Sequence, residues 1–168
     1  MIIKQKISNI KDEDQGGLLI DYLELEWYET SKRILHKKTN SGREVTLKFL
    51  NHRQELAEGD ILFRDNQYTI VVAIRTCEAI IVKPRTMYEM AYVCYEIGNK
   101  HLPLFYENGE LLIPYESPIM KILQASGFKP SIQNRKLMNQ LKTSVTPHPH
   151  AESKSLFSRI LQLTSPNE

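Results

Sequence analysis

The sequence predicts an α+β protein: a small N-terminal β-sandwich or barrel-like domain, a ferredoxin-like (βαββαβ) domain, and a flexible C-terminal tail. Three observations lead there. From Met1 to about Arg75 short apolar runs with strand-like periodicity are separated by turn residues. From Cys77 onward, strand-like and helix-like stretches follow in the order β-α-β-β-α-β, the split βαβ plan. Beyond Lys142 the composition turns to Ser, Thr and Pro, which offers nothing from which to build a core. The expected limits are 1–75, 76–142 and 143–168.

Six runs make up the first domain: Ile2 to Ile7, Tyr22 to Trp27, Arg33 to His36, Glu44 to Phe49, Ile61 to Phe63 and Tyr68 to Ile74. Asn40-Ser41-Gly42 and Asp65-Asn66 read as hairpin turns, and Glu58-Gly59-Asp60 leads into a strand. Ser31-Lys32-Arg33 and His36-Lys37-Lys38 give the third run a basic end. Two readings stand there: a charged edge strand that resists pairing with other chains, or a docking patch for an acidic partner. His36 and His52 have no ligand partner at a metal-binding spacing and read as surface residues.

In the second part, Cys77 to Lys83 is a strand, followed by a helix expected from Met87 to Ile97. Thr86 with Glu89 makes a capping box, and Gly98-Asn99 with Pro103 a stop. Met87, Met90, Ala91, Cys94 and Ile97 recur at helical spacing as one apolar face, with Tyr88, Tyr92 and Tyr95 as a second stripe. One face lies on a sheet. The second asks for another neighbour, either the other domain or another copy of the chain. Leu104 to Tyr106 and Leu111 to Ile113 pair across Asn108-Gly109, a type I′ hairpin signal. Ser117 then caps a second helix with Pro118 at its first position, Ile119, Ile122 and Leu123 on its face and Gly127 at its end. Phe128 to Leu137 is the last strand candidate.

Composition excludes several classes. With 168 residues, 41% hydrophobic and 25% charged, the chain is long enough for a real core and has the make-up of an ordinary globular protein. A net charge of +2 is too mild to imply nucleic acid. No apolar run reaches a membrane span and the start lacks a signal-peptide core, so the cytoplasm is the expected compartment. Cys77 and Cys94 show no structural-zinc spacing and read as buried free thiols. A Cys94/His101 nucleophile pair would stand about two helical turns apart, roughly 10 Å, beyond hydrogen-bond reach.

His101 follows the first helix directly. On spacing alone it is either a C-cap on the last carbonyls or a ligand carried on a rigid helix end. The residues around it add to that: Glu96-Ile97-Gly98-Asn99-Lys100-His101 resembles the E-I-G-N-R-H motif of the urease accessory protein UreE family, with Lys100 in place of the usual Arg. Leu23 to Trp27 followed by Lys32 to Leu35, then Gly59 to Leu62, and Lys83 to Met87 with Glu89-Met90 are also similar to that family, in the same order. The resemblance spans roughly residues 1 to 142. It implies a peptide-binding-like β domain and a dimerising, ferredoxin-like metal-binding domain.

By the same resemblance the chain is a cytoplasmic nickel metallochaperone and not an enzyme. Its partners would be a second copy of itself, the urease GTPase accessory protein and the apo-urease activation complex. The cargo is Ni2+, and imidazole ligands also accept Zn2+ or Cu2+ in vitro. The metal candidates are His101, shared across a dimer axis, and His148 and His150 in Pro147-His148-Pro149-His150. Prolines beside His148 favour an extended path on which both rings need not face one ion. Extra histidines found shortly after the hairpin in some family members are absent from Ile113 to Ser117, so capacity is expected at one or two ions per dimer. Leu156 to Leu163 has the pattern of a short apolar-faced helix, either a frayed end or a partner-docked one. Two rival readings remain: a peptide or protein interaction module with incidental histidines, and a small hydrolase using Cys94 or His101.

Overall fold

The computed structural model describes residues 1–12, 17–50 and 55–142. The expected tail, His52, His148, His150 and the Leu156 to Leu163 segment lie outside the described residues. Among the described residues seven strands form the N-terminal part: β1 (Ile2–Ile3), β2 (Ser8–Asn9), β3 (Leu19–Leu25), β4 (Ile34–Lys38), β5 (Glu44–Lys48), β6 (Asp60–Arg64) and β7 (Tyr68–Ile74). They build a three-stranded sheet in the order β1-β5-β4 and a four-stranded sheet in the order β2-β6-β7-β3. Between them the core includes Leu23, Leu25, Leu47, Phe49 and Ile70, each at most 1% exposed. Burial of side chains of this size contributes about 1.5–3 kcal/mol apiece.

Turn chemistry works here as expected. The Asp65 side chain accepts hydrogen bonds from the Gln67 and Tyr68 backbone N–H groups at 2.8 and 2.9 Å, turning β6 back into β7. Two readings need correction. The run from Ile2 to Ile7 is not one strand: its first two residues pair parallel with β5, and the chain then crosses to the other sheet as β2. Trp27 is not in a strand either, because Trp27–Glu29 forms a single 3-10 turn. The Glu26 backbone N–H donates to Glu29 Oε2 at 2.9 Å, and Lys37 Nζ meets the same oxygen at 2.5 Å. That double anchor overrides the alternation.

After Arg75 come β8 (Thr76–Val82), α1 (Met87–Asn99), β9 (Phe105–Glu107), β10 (Glu110–Pro114), α2 (Ser117–Ala125) and β11 (Ser131–Lys136). Their sheet runs β11-β8-β10-β9, antiparallel throughout, which is the ferredoxin-like arrangement. Asn108 and Gly109 both have positive φ, 49° and 83°, as a type I′ hairpin requires. Both helices cover one face of the sheet over Ile80, Val93, Ile97, Leu111, Ile119 and Leu123. On the opposite face Ile81, Phe105 and Leu137 meet Trp27, whose ring lies edge-on to Phe105 at 5.5 Å. The N-terminal part is thus packed against the second sheet. Lys136 Nζ also pairs with Glu58 Oε1 at 2.6 Å across the same junction.

Candidate metal-binding helix end

The site is built on α1. Thr86 Oγ1 accepts from the Glu89 backbone N–H at 3.1 Å, and Glu89 Oε2 accepts from the Arg85 N–H at 2.6 Å, so the return bond of the expected capping box falls one residue earlier. At the other end the helix runs through Gly98 and Asn99, two residues past its expected end at Ile97, and Lys100 is its C-cap. His101 takes φ 54°, the left-handed region. Its backbone N–H donates to Gly98 O at 2.9 Å and that of Leu102 to Ile97 O at 3.3 Å, the two bonds of a Schellman close. His101 therefore terminates the helix with its backbone. Its ring remains exposed at the end of a 13-residue helix, where unpaired carbonyls favour a cation.

A non-glycine residue in that region costs on the order of 1 kcal/mol, although His is among the residues found there more often than most. Nothing about closing the helix requires an imidazole at this position.

The faces of α1 differ from the expected ones. Val93 and Ile97 are buried, with Met90 and Cys94 half-buried beside them, so Val93 is the core residue that the two-stripe reading passed over. Met87, in the first turn, and Ala91 are exposed, Met87 at 83%. Tyr92 is covered within its own domain, stacked on Phe128 at 5.7 Å with its hydroxyl 3.1 Å from Ser126 Oγ. Tyr88 and Tyr95 stand out at 78% and 68% exposed. At 100° per residue Tyr88, Ala91, Tyr95 and Gly98 fall on one line opposite the core, and that line runs toward His101. The signal for it was in the sequence as small residues set between tyrosines.

The other candidates are not gathered here. Among the described residues no group of three or more His, Cys, Asp or Glu is placed to hold a metal ion. His36 Nδ1 lies 2.9 Å from Thr46 Oγ1 on the neighbouring strand. Burial pushes the Cys94 thiol up, and burial with the nearby Glu26 charge does the same for Cys77, which disfavours the thiolate a nucleophile needs. Lys100 Nζ reaches Glu96 Oε2 at 3.2 Å, one turn back on the same helix.

A ferredoxin-like domain carrying a histidine on an exposed helix end, fused to a β domain, defines a two-domain α+β protein. Residues 3–75 match the family model for the N-terminal domain of the UreE urease accessory protein, and residues 73–154 match that for its C-terminal domain. The chain is 46% identical over 163 residues to the urease accessory protein UreE of Flavobacterium johnsoniae, covering 97% of this chain and 99% of that protein. It is 39% identical over 153 residues to the UreE of Acetivibrio thermocellus, covering 91% and 99% of the two chains. With the Helicobacter pylori UreE it shares 34% over 155 residues, or 90% and 91% of the two. The chain belongs to the UreE family.

Proposed function

We propose that this chain is a nickel-binding metallochaperone for urease maturation, and is not itself an enzyme. The observation that carries the reading is His101: an exposed imidazole held in the left-handed conformation at a helix end. The family membership supplies the accessory role, and the exposed Met87, Tyr88 and Tyr95 side chains are what a homodimer would cover. Two copies joined along that stripe bring two His101 rings toward one axis, where they share a nickel ion. His148 and His150 add ligands from the tail and tighten the site without creating it. A site with few protein ligands holds the ion firmly enough to collect it and loosely enough to pass on. The receiving proteins are the urease GTPase accessory protein and the apo-urease complex in the cytoplasm. The limits 1–75, 76–142 and 143–168 are proposed as the working division of the chain.

Equilibrium dialysis against nickel tests the reading, using the wild type, His101→Gly and His148→Ala/His150→Ala. The expected result is loss of the tightest site in His101→Gly and weaker or fewer ions in the double variant. Wild-type nickel affinity in His101→Gly would move the site elsewhere. The glycine variant is chosen because it keeps the helix close intact while deleting the ring.

A further inference from the structure

Lys83-Pro84-Arg85 takes no part in the proposed nickel site, yet it borders a cavity of about 430 Å³ in the ferredoxin-like domain. The cavity lies where the end of β8, the start of α1 and the turn from α2 into β11 meet. The apolar part of its wall includes Val82, Pro84 and Phe128. Val82 is 2% exposed and Phe128 is stacked on Tyr92, so this wall is fixed by the packing of the domain. Lys83, Arg85 and Lys129 bring three cations to the same space, and Glu89 is the one acid among the described residues that line it. Lys83 Nζ is answered by Glu110 Oε1 at 2.6 Å. Arg85 and Lys129 are exposed and make no ion pair among the described residues. The Glu89 carboxylate is engaged by backbone, since its Oε2 accepts from the Arg85 N–H at 2.6 Å. That bond and the fixed φ of Pro84 hold the main chain at Arg85, so only its side chain has to be ordered when an anion arrives.

We propose that this cavity binds a small phosphate monoester, its dianion held by Arg85 and Lys129 and its organic group against Pro84 and Phe128. A phosphate monoester carries about −1.5 to −2 charge at pH 7 and three strong acceptor oxygens, two of which an arginine fork can meet at once. A carboxylate brings a single charge to two free cations. The volume falls within the range of roughly 300–1,000 Å³ for small-molecule sites, and a largely apolar wall with a few charged groups is their usual make-up. A bare phosphate ion would leave that wall without a contact. The 13 residues of α1 set this cavity about 20 Å from His101, so its ligand and the nickel ion do not share groups. The proposal is independent of the nickel reading.

The test titrates the full isotope-labelled chain, free of metal, with phenyl phosphate, inorganic phosphate and phenol, and follows the amide NMR shifts. The expected result with phenyl phosphate is saturable shifts confined to residues 81–89 and 127–131. Inorganic phosphate should bind the same residues at least about threefold more weakly, and phenol should not bind. Arg85→Gln/Lys129→Gln should weaken phenyl phosphate by about tenfold or more, while Lys48→Gln, in β5 of the other domain, should leave it unchanged. Both cavity positions are exposed, and an unchanged thermal melt confirms that the double variant is folded. The three-ligand comparison on the wild type stands without any variant. Absent or non-saturable shifts, or shifts centred elsewhere, would overturn the proposal. So would inorganic phosphate binding as tightly as phenyl phosphate, which would mean an adventitious ion only, phenol binding as tightly as its phosphate ester, or undiminished binding in the folded double variant.

Discussion

The two helices of the ferredoxin-like domain close with the same motif and fill its key position with different residues. In α2 the residue after the C-cap is Gly127 at φ 86°, with Gly127 N–H donating to Gln124 O at 3.0 Å and Phe128 N–H to Leu123 O at 3.1 Å. In α1 the equivalent residue is His101 at φ 54°, with the matching pair of bonds to Gly98 and Ile97. Glycine takes that conformation without a Cβ penalty; histidine does not. The outer surfaces differ in the same sense, because α1 leaves two tyrosines in water opposite its core face. Where α2 follows local energetics, α1 departs from them twice, once at its C-terminal close and once along its outer face.

What the helices share gives the largest expected effect. Ile97 and Leu123 are each 1% exposed and sit in the same core. Ile97→Ala and Leu123→Ala should each cost about 2–5 kcal/mol in chemical denaturation. A much smaller loss for Ile97→Ala alone would mean that α1 is held by something other than the sheet.

Exchanging the residues at the helix ends sharpens the contrast. Gly127→Ala should cost about 1 kcal/mol, while His101→Gly should be neutral or stabilising by up to about 1 kcal/mol, both read from denaturation midpoints. The two changes are expected to have opposite signs. Only the second should remove nickel binding. If His101→Gly destabilises as much as Gly127→Ala, the ring has a packing role and the strain argument fails.

Acid should separate the proposed metal site from the fold. A histidine ligand binds metal only as the neutral ring, so nickel affinity should fall in mildly acidic solution. The fold should outlast it. Burial by itself pushes the Asp21 carboxyl up, but hydrogen bonds from Ser41, Thr39 and Arg43 outweigh it and hold the group below its usual range. Glu29 is likewise lowered: burial is opposed by Lys37 and the Glu26 N–H. A group with a depressed folded pKa contributes stability above its unfolded value, and that stability is lost as pH falls through the folded one. Circular dichroism against pH should therefore show loss of fold below the ordinary carboxylate range, at lower pH than loss of nickel. Simultaneous loss would tie the site to the fold.

Much of this architecture was legible in the sequence because strands, hairpins and caps are local. Asn108-Gly109 named its turn type, and Gly127 its helix end. The misses came from long-range contacts. Trp27 left its strand pattern because Glu29 is anchored by Lys37, eight residues on, and because Phe105 offers its ring a place in the other domain. Val93 was passed over because tyrosines on one side and methionines on the other drew the stripes around it. His101 was visible as a residue after a helix; its left-handed backbone was not, since Gly98 and Asn99 looked like the stop and yet remain helical.

The smallest expected effect concerns Lys100, where the family motif usually has Arg. Its ion pair with Glu96, 3.2 Å long, joins side chains that are 34% and 26% exposed, and one-turn pairs of this kind contribute about 0.3–0.5 kcal/mol. The α2 end carries no basic residue in its last turn and closes with the same two backbone bonds. The close of α1 should accordingly depend on Ile97, Gly98 and the left-handed turn rather than on the salt bridge. Lys100→Ala is expected to lower stability by no more than about 0.5 kcal/mol and to leave nickel affinity unchanged, with the stability difference shrinking further in high salt. Calorimetric titration and denaturation of the same preparation decide it. A loss of nickel affinity with stability intact would assign Lys100 a part in the site that the geometry of the helix end does not require.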